Sequence, residues 1–242
     1  MDMMKRILGK YKPELMEMDQ SLQETTLLLT ASYNGLVDMV DVLLDIGVDP
    51  EQADENNMTP LFVASQNGHD KVVKRLLDHG VNVDCPELIS VSTPLFAASH
   101  NGHDDVVKLL LEAGAQKNWV SKTGVTVLYA ACHQAHPRVV ETLLKAGADK
   151  ELALDAGCLP LAVAVEKGHT QIVKLLLEAG ADRTKVDISD VRIKAEIKAL
   201  LFQSVIPSVS IRKTYFIGPI LGPCHLSRNQ ENARGRACRR GQ

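Results

Sequence analysis

Aromatic residues are scarce in this chain, at 4% of 242 residues with a single tryptophan, Trp119. Any core must therefore be built from aliphatic side chains. A dominant charge is missing too: the formal net charge is -3, which carries no overall nucleic-acid signature. The longest uncharged run near the C-terminus, Thr214–Ser227, has 14 residues broken by Gly218, Pro219, Gly222 and Pro223. That is too short to span a bilayer, so membrane insertion is not expected. The opening segment, MDMMKRILGKYK, lacks the apolar stretch of a secretory signal. Cys85, Cys132, Cys158, Cys224 and Cys238 are odd in number, far apart and without a CxxC pair. Neither a zinc site nor a disulfide framework is indicated. A reducing intracellular compartment is expected, the cytoplasm first with the nucleus left open.

What is present is a period. Gly35, Gly68, Gly102, Ala135 and Gly168 are separated by 33, 34, 33 and 33 residues. Gly47, Gly80, Gly114, Gly147 and Gly180 follow the same steps. Two independent columns with one period and one shared insertion mark an internal repeat. Each cycle opens at a threonine-like position: Thr26, Thr59, Thr93, Thr126, then Leu159. Pro60, Pro94 and Pro160 follow in three cycles. Threonine caps a helix start, and proline suits the first turn, where its missing N–H had no partner. A short apolar helix such as Leu61–Asn67 comes next, and Gly68 ends it in left-handed geometry.

A second helix follows, with Val72, Val73, Leu76 and Leu77 on one face. The same face recurs at Val106, Val107, Leu110 and Leu111, at Val139, Val140, Leu143 and Leu144, and at Ile172, Val173, Leu176 and Leu177. About a dozen polar or extended residues then lead to the next threonine, a length that fits a projecting turn or hairpin. Two short helices cannot cover their own apolar faces, but stacked pairs bury a continuous seam. The expected architecture is an all-α solenoid of five units: 21–53, 54–87, 88–120, 121–153 and 154–186.

End units must shield an open apolar face. Two short helices split by Pro13 are expected over residues 1–20 as an N-terminal cap, and a closing helix, Ser189–Gln203, within 187–204. The remaining 205–242 carry seven basic residues against Glu231, a net +6 that leaves -9 on residues 1–204. This tail is expected to be disordered.

TPLFVASQNGHDKVVKRLLDHGVNVD, TPLFAASHNGHDDVVKLLLEAGAQKN and LPLAVAVEKGHTQIVKLLLEAGADRT resemble ankyrin repeats, over roughly residues 21–186. The histidine usual in that family after TPL is replaced by Leu29, Phe62, Phe96, Tyr129 and Ala162. Apolar packing must then substitute for the hydrogen bonds that histidine lends. The fourth repeat has Ala135-His136-Pro137 and the fifth lacks the threonine, so both are expected to be less regular.

No catalytic set is visible. His69, His103, His136 and His169 form a column, but metal sites need several ligands converging on one point. A structural role at the step between the two helices is expected instead. Cys132 and His133 are neighbours in sequence, and neighbours on a helix point apart. Asp104 and Asp105 open a helix, where they complement its dipole. No cofactor or metal is expected.

The resemblance implies binding through hairpin tips and the outer positions of the first helices. In the second repeat these are Glu55, Asn56, Met58, Gln66 and Asn67; in the third, Ile89, Ser90, Ser92, His100 and Asn101. In the fourth they are Lys122, Thr123, Val125, His133 and Gln134, with Trp119 just before; in the fifth, Asp155, Cys158, Glu166 and Lys167. Tryptophan is enriched at binding hot spots, and a tip position would expose Trp119; packing under its own loop is the alternative. The family also implies that Asn118, eight residues after Leu110, is a candidate for hydroxylation by an oxygenase. The expected function is a non-enzymatic, monomeric protein-interaction module that acts as an adaptor, scaffold or inhibitor on a concave face. One alternative is a fragment of a larger multidomain protein whose activity lies elsewhere. Another is nucleic-acid contact through the basic tail, since the acidic body would repel phosphate.

Overall fold

The computed structural model describes residues 20–153, 159–186 and 194–203. The expected N-terminal cap, the 205–242 tail, Asp155 and Cys158 lie outside these residues. Five helix pairs follow one another: α1 (Gln20–Tyr33) and α2 (Val37–Asp45), α3 (Pro60–Asn67) and α4 (Asp70–Asp78), α5 (Pro94–Asn101) and α6 (Asp104–Glu112), α7 (Val127–His133) and α8 (Pro137–Lys145), α9 (Pro160–Glu166) and α10 (Thr170–Glu178). A 3-10 turn (Arg183–Lys185) and α11 (Ala195–Gln203) close the series.

The starts of the first helices are set by threonine. Thr59, Thr93 and Thr126 accept the backbone N–H of Phe62, Phe96 and Tyr129 at 3.1, 3.3 and 3.1 Å. Leu159 offers no such bond, yet α9 starts at Pro160, the position equivalent to Pro60 in α3. The first repeat departs from expectation. Thr26 lies inside α1, which begins at Gln20. No proline follows Thr26, so nothing forbids the preceding turn.

Each first helix packs on the next first helix, and each second helix on the next second helix. Val72, Val73 and Leu76 are fully buried, as are Val107 and Leu110, and Val139, Val140 and Leu143. The fourth member of each face, at Leu77, Leu111, Leu144 and Leu177, is only half-buried. It packs against the core without being enclosed by it. Of the expected closing helix, residues 189–193 lie outside the described residues; within α11 Ile197 and Leu201 are buried against the stack while Phe202 stays exposed.

Two hydrogen-bond ladders tie successive repeats. In one, Nε2–H of His69, His103 and His136 donates to the carbonyls of Tyr33, Gln66 and His100 at 2.8, 3.0 and 3.0 Å. Glycine makes this approach possible: a Cβ at Gly102, where φ is +83°, would stand 2.5 Å from His136 Nδ1. In the other, Glu51, Asp84, Asn118 and Glu151 accept the backbone N–H of Asn82, Gln116, Asp149 and Asp182 at 2.5, 3.0, 2.8 and 2.8 Å. These bonds lie at the surface, and each joins a side chain of one repeat to the backbone of the next.

Candidate functional site

The segments ahead of Thr59, Thr93 and Thr126 form projecting fingers. They are turns rather than paired strands; among the described residues one isolated bridge occurs, Val120 with Thr126. In the second finger Asp54 accepts N–H from Asn56 and Met58 at 2.9 and 2.8 Å. In the fourth, Ser121 Oγ accepts from Val125 at 3.2 Å. The third finger is one residue longer, because the single insertion in the repeat falls here. A longer acid, Glu87, fills it. Its carboxylate takes the N–H of Ile89, Ser90 and Ser92 at 2.6, 2.7 and 3.2 Å and the Ser90 hydroxyl. Burial opposes the charge, yet the Ser90 hydroxyl and these backbone donors hold the Glu87 carboxyl below the usual glutamate range.

The turn residue two before the threonine is Asn57 (φ 60°) in the second finger, Gly124 (φ 80°) in the fourth and Val91 (φ 56°) in the third. A β-branched residue in left-handed geometry is strained. Neighbours hold it there. Trp119 Nε1–H donates to Val91 O at 2.8 Å, Lys122 N–H to Ser90 O at 2.9 Å, and Leu88 N–H to Asn56 O at 2.9 Å. The finger thus carries Leu88 and Ile89 outward at 62% and 68% exposure.

Two clefts flank this finger. One, of about 500 Å³, is lined by Met58, Phe62, Gln66, Glu87, Ile89, Ser90, Ser92, Phe96, Ala97, His100 and Asn101. The other, of about 380 Å³, is lined by Ser90, Ser92, Phe96, His100, Ser121, Thr123, Val125, Tyr129, Ala130 and His133. Phe96 stacks on His100 with ring centroids 6.4 Å apart, and Tyr129 on His133 at 6.1 Å. The Gln134 amide donates to His100 Nε2 at 2.9 Å. Burial, then the nearby His133 and His136, hold His100 below the usual histidine value.

A family model described as ankyrin repeats, in three copies, matches residues 1–87 and 95–187. The chain belongs to the ankyrin-repeat family. Membership indicates a protein–protein interaction module. In this ankyrin-repeat protein the two clefts gather Met58, Gln66, Ile89, Ser90, Ser92, His100, Asn101, Thr123, Val125 and His133. Glu55, Lys122, Gln134, Glu166 and Lys167 are exposed, Asn56 is half-buried, and none of these six lines either cleft. Ser92 is buried, with its hydroxyl 2.6 Å from that of Ser90. Asn67 is half-buried and donates to Val63 O at 2.8 Å. Trp119 packs neither freely nor under its own loop; half-buried, it straps the preceding finger.

Cys132 is fully buried, and burial pushes its thiol far up, so it stays protonated. The His133 ring lies on Tyr129 instead of facing that thiol. Among the described residues no group of three or more His, Cys, Asp or Glu side chains is placed to hold a metal ion. No described helix is long and apolar enough to cross a membrane.

The binding positions carried over from the family omitted Phe62, Phe96 and Tyr129, which wall the clefts, and Leu88, which is exposed. The signal was present. These aromatics occupy the column where the family places histidine, and His100 and His133 stand one helical turn later.

Proposed function

We propose that this chain is a non-enzymatic interaction module, an adaptor, scaffold or inhibitor, whose partner occupies the face made by the fingers and first helices. The observation that carries this reading is the exposed apolar tip, Leu88 and Ile89, between two clefts lined by Met58, Phe62, Phe96 and Tyr129. Apolar anchors beside aromatic pockets are the usual centre of a protein interface. The second helices, by contrast, present charged side chains such as Lys74, Arg75, Asp105 and Lys108 to solvent. The tip residues belong to the chain's binding surface, and the helix backs hold the stack together.

Affinity capture with the full chain, compared with a Met58→Ala, Ile89→Asp, His100→Ala bait, tests the face. A partner retained by the first and lost by the second supports it. A partner retained equally by both places binding elsewhere. Asn118 is the proposed hydroxylation position. It is exposed, and it is the one neutral side chain in the Glu51, Asp84, Asn118, Glu151 ladder. Mass spectrometry of its peptide from cells that contain the oxygenase should show the mass of one added oxygen; its absence removes the proposal.

A further inference from the structure

Along the first helices, the position of His100 and His133 is held by Tyr33, Gln66 and Glu166 in the other repeats. One turn earlier stand Phe96 and Tyr129. Only the third and fourth repeats therefore place an aromatic ring and an imidazole one turn apart, and both pairs wall the cleft of about 380 Å³. No Asp, Glu, Lys or Arg side chain lines that cleft. Its serine and threonine hydroxyls are already engaged, Ser90 with Ser92 at 2.6 Å and Ser121 with Thr123 at 3.0 Å. Besides the Tyr129 phenol, the two imidazoles are its ionisable groups, and Lys122 is exposed beside Thr123. On a body of net charge -9, this is a place without a carboxylate of its own.

We propose that this cleft receives a bulky apolar side chain from a partner segment that carries an aspartate or glutamate beside it, the carboxylate being held by His100 and His133. This rests on the interaction face proposed above. The aromatic walls supply the apolar contact, and the imidazoles supply the charge complement that the cleft lacks until they are protonated. Gln134 makes the change inexpensive. Its amide donates to neutral His100 Nε2, and on rotation its oxygen accepts from the protonated ring.

The groups around the two rings are few. His100 meets Gln134, His133 and His136 from the next repeat and Phe96 on its own helix, and His133 lies on Tyr129. The nearby Glu87 carboxylate is committed to its own finger. At the next step of the column His133 is followed by Glu166, with Lys167 beside it. A bound carboxylate favours the imidazolium, so affinity rises as pH falls through the imidazole range and is lost above it.

The test pans a phage-displayed random peptide library on the full chain at about pH 6. The enriched peptide is then synthesised with a fluorophore and its affinity measured by anisotropy up to about pH 8. Expected are sequences that pair a large apolar residue with Asp or Glu, bound about fivefold tighter at the lower pH, the size of one partly exposed charge pair. Changing the peptide acid to its amide, which leaves the protein untouched, should remove the pH dependence. His100→Gln with His133→Gln should do the same at an unchanged thermal melt, whereas Glu166→Gln should leave it intact. Peptides that lose binding with Ile89→Asp but lack an acid, or bind equally at both pH values, overturn the acidic occupant and leave the face standing. Peptides indifferent to Ile89→Asp and to the histidine changes, or no enrichment at all, overturn both.

Discussion

At the scale of single residues, Glu87 has the largest local consequence. Three backbone N–H groups and a hydroxyl converge on its carboxylate. In Glu87→Gln an amide N–H₂ would face donors in place of an acceptor, and the expected loss is about 1–3 kcal/mol, read from a urea melt. The carboxyl is depressed in the folded state. Its stabilisation is therefore complete above the ordinary glutamate value and fades as pH falls through the depressed one. Trp119, bonded to Val91 of that finger, should report the loosening as a fluorescence change as pH falls below the ordinary glutamate range, absent in Glu87→Gln. Identical acid titrations of the two proteins would assign the change to other carboxylates. A second residue-scale effect concerns Ser32, Ser65 and Ser99, whose buried hydroxyls have no hydrogen-bond partner. Their column continues as Cys132 and Val165, neither of which carries a hydroxyl. Ser99→Ala should stabilise by about 0.5–1 kcal/mol, since a buried hydroxyl without a partner costs more than it returns. A lowered melting temperature would show that the hydroxyl is solvated or bonded in solution.

At the scale of helices and fingers, the histidine ladder breaks at one step. Ala135 sits at φ 62° where the column otherwise has glycine. Among the described residues His169, unlike His69, His103 and His136, makes no ring hydrogen bond to the preceding repeat. The alanine Cβ occupies the direction that the glycines leave open to the next ring. Ala135→Gly should relieve the left-handed strain and let His169 close. The expected gain is about 1 kcal/mol after the entropy cost of glycine. Gly102→Ala should lose at least as much, because its new Cβ would press on His136. Differential scanning calorimetry on both variants checks the opposite signs. The helix pairs, the three threonine caps and the buried faces were legible from the repeat columns, because they follow from spacing within one unit. The ladders were not, because each joins a side chain to backbone some thirty residues away. The clefts were half legible. His100, His133 and Ile89 stood at expected positions, but the ring stacking that makes two pockets depends on neighbouring repeats coming together.

At the scale of the whole stack, each repeat leans on its neighbours and stability is close to a sum of nearest-neighbour contacts. Leu110, fully buried in α6, lies at the middle. Leu110→Ala should cost about 2–5 kcal/mol and weaken the centre more than the ends. Trp119 fluorescence and circular dichroism should trace one urea transition in the parent and two separate ones in the variant. Coincident curves in the variant would mean that the array unfolds as a single unit regardless. The longer third finger bears on a different hazard. Near-identical units can dock out of order while the chain folds, skipping or swapping a neighbour. Glu87 fits only a loop with the extra residue, and Trp119, the sole tryptophan, reaches back only to that loop. The insertion therefore numbers the repeats: it gives the chain one internal address at which a frame-shifted stack would leave an indole N–H and a strained valine unsupported.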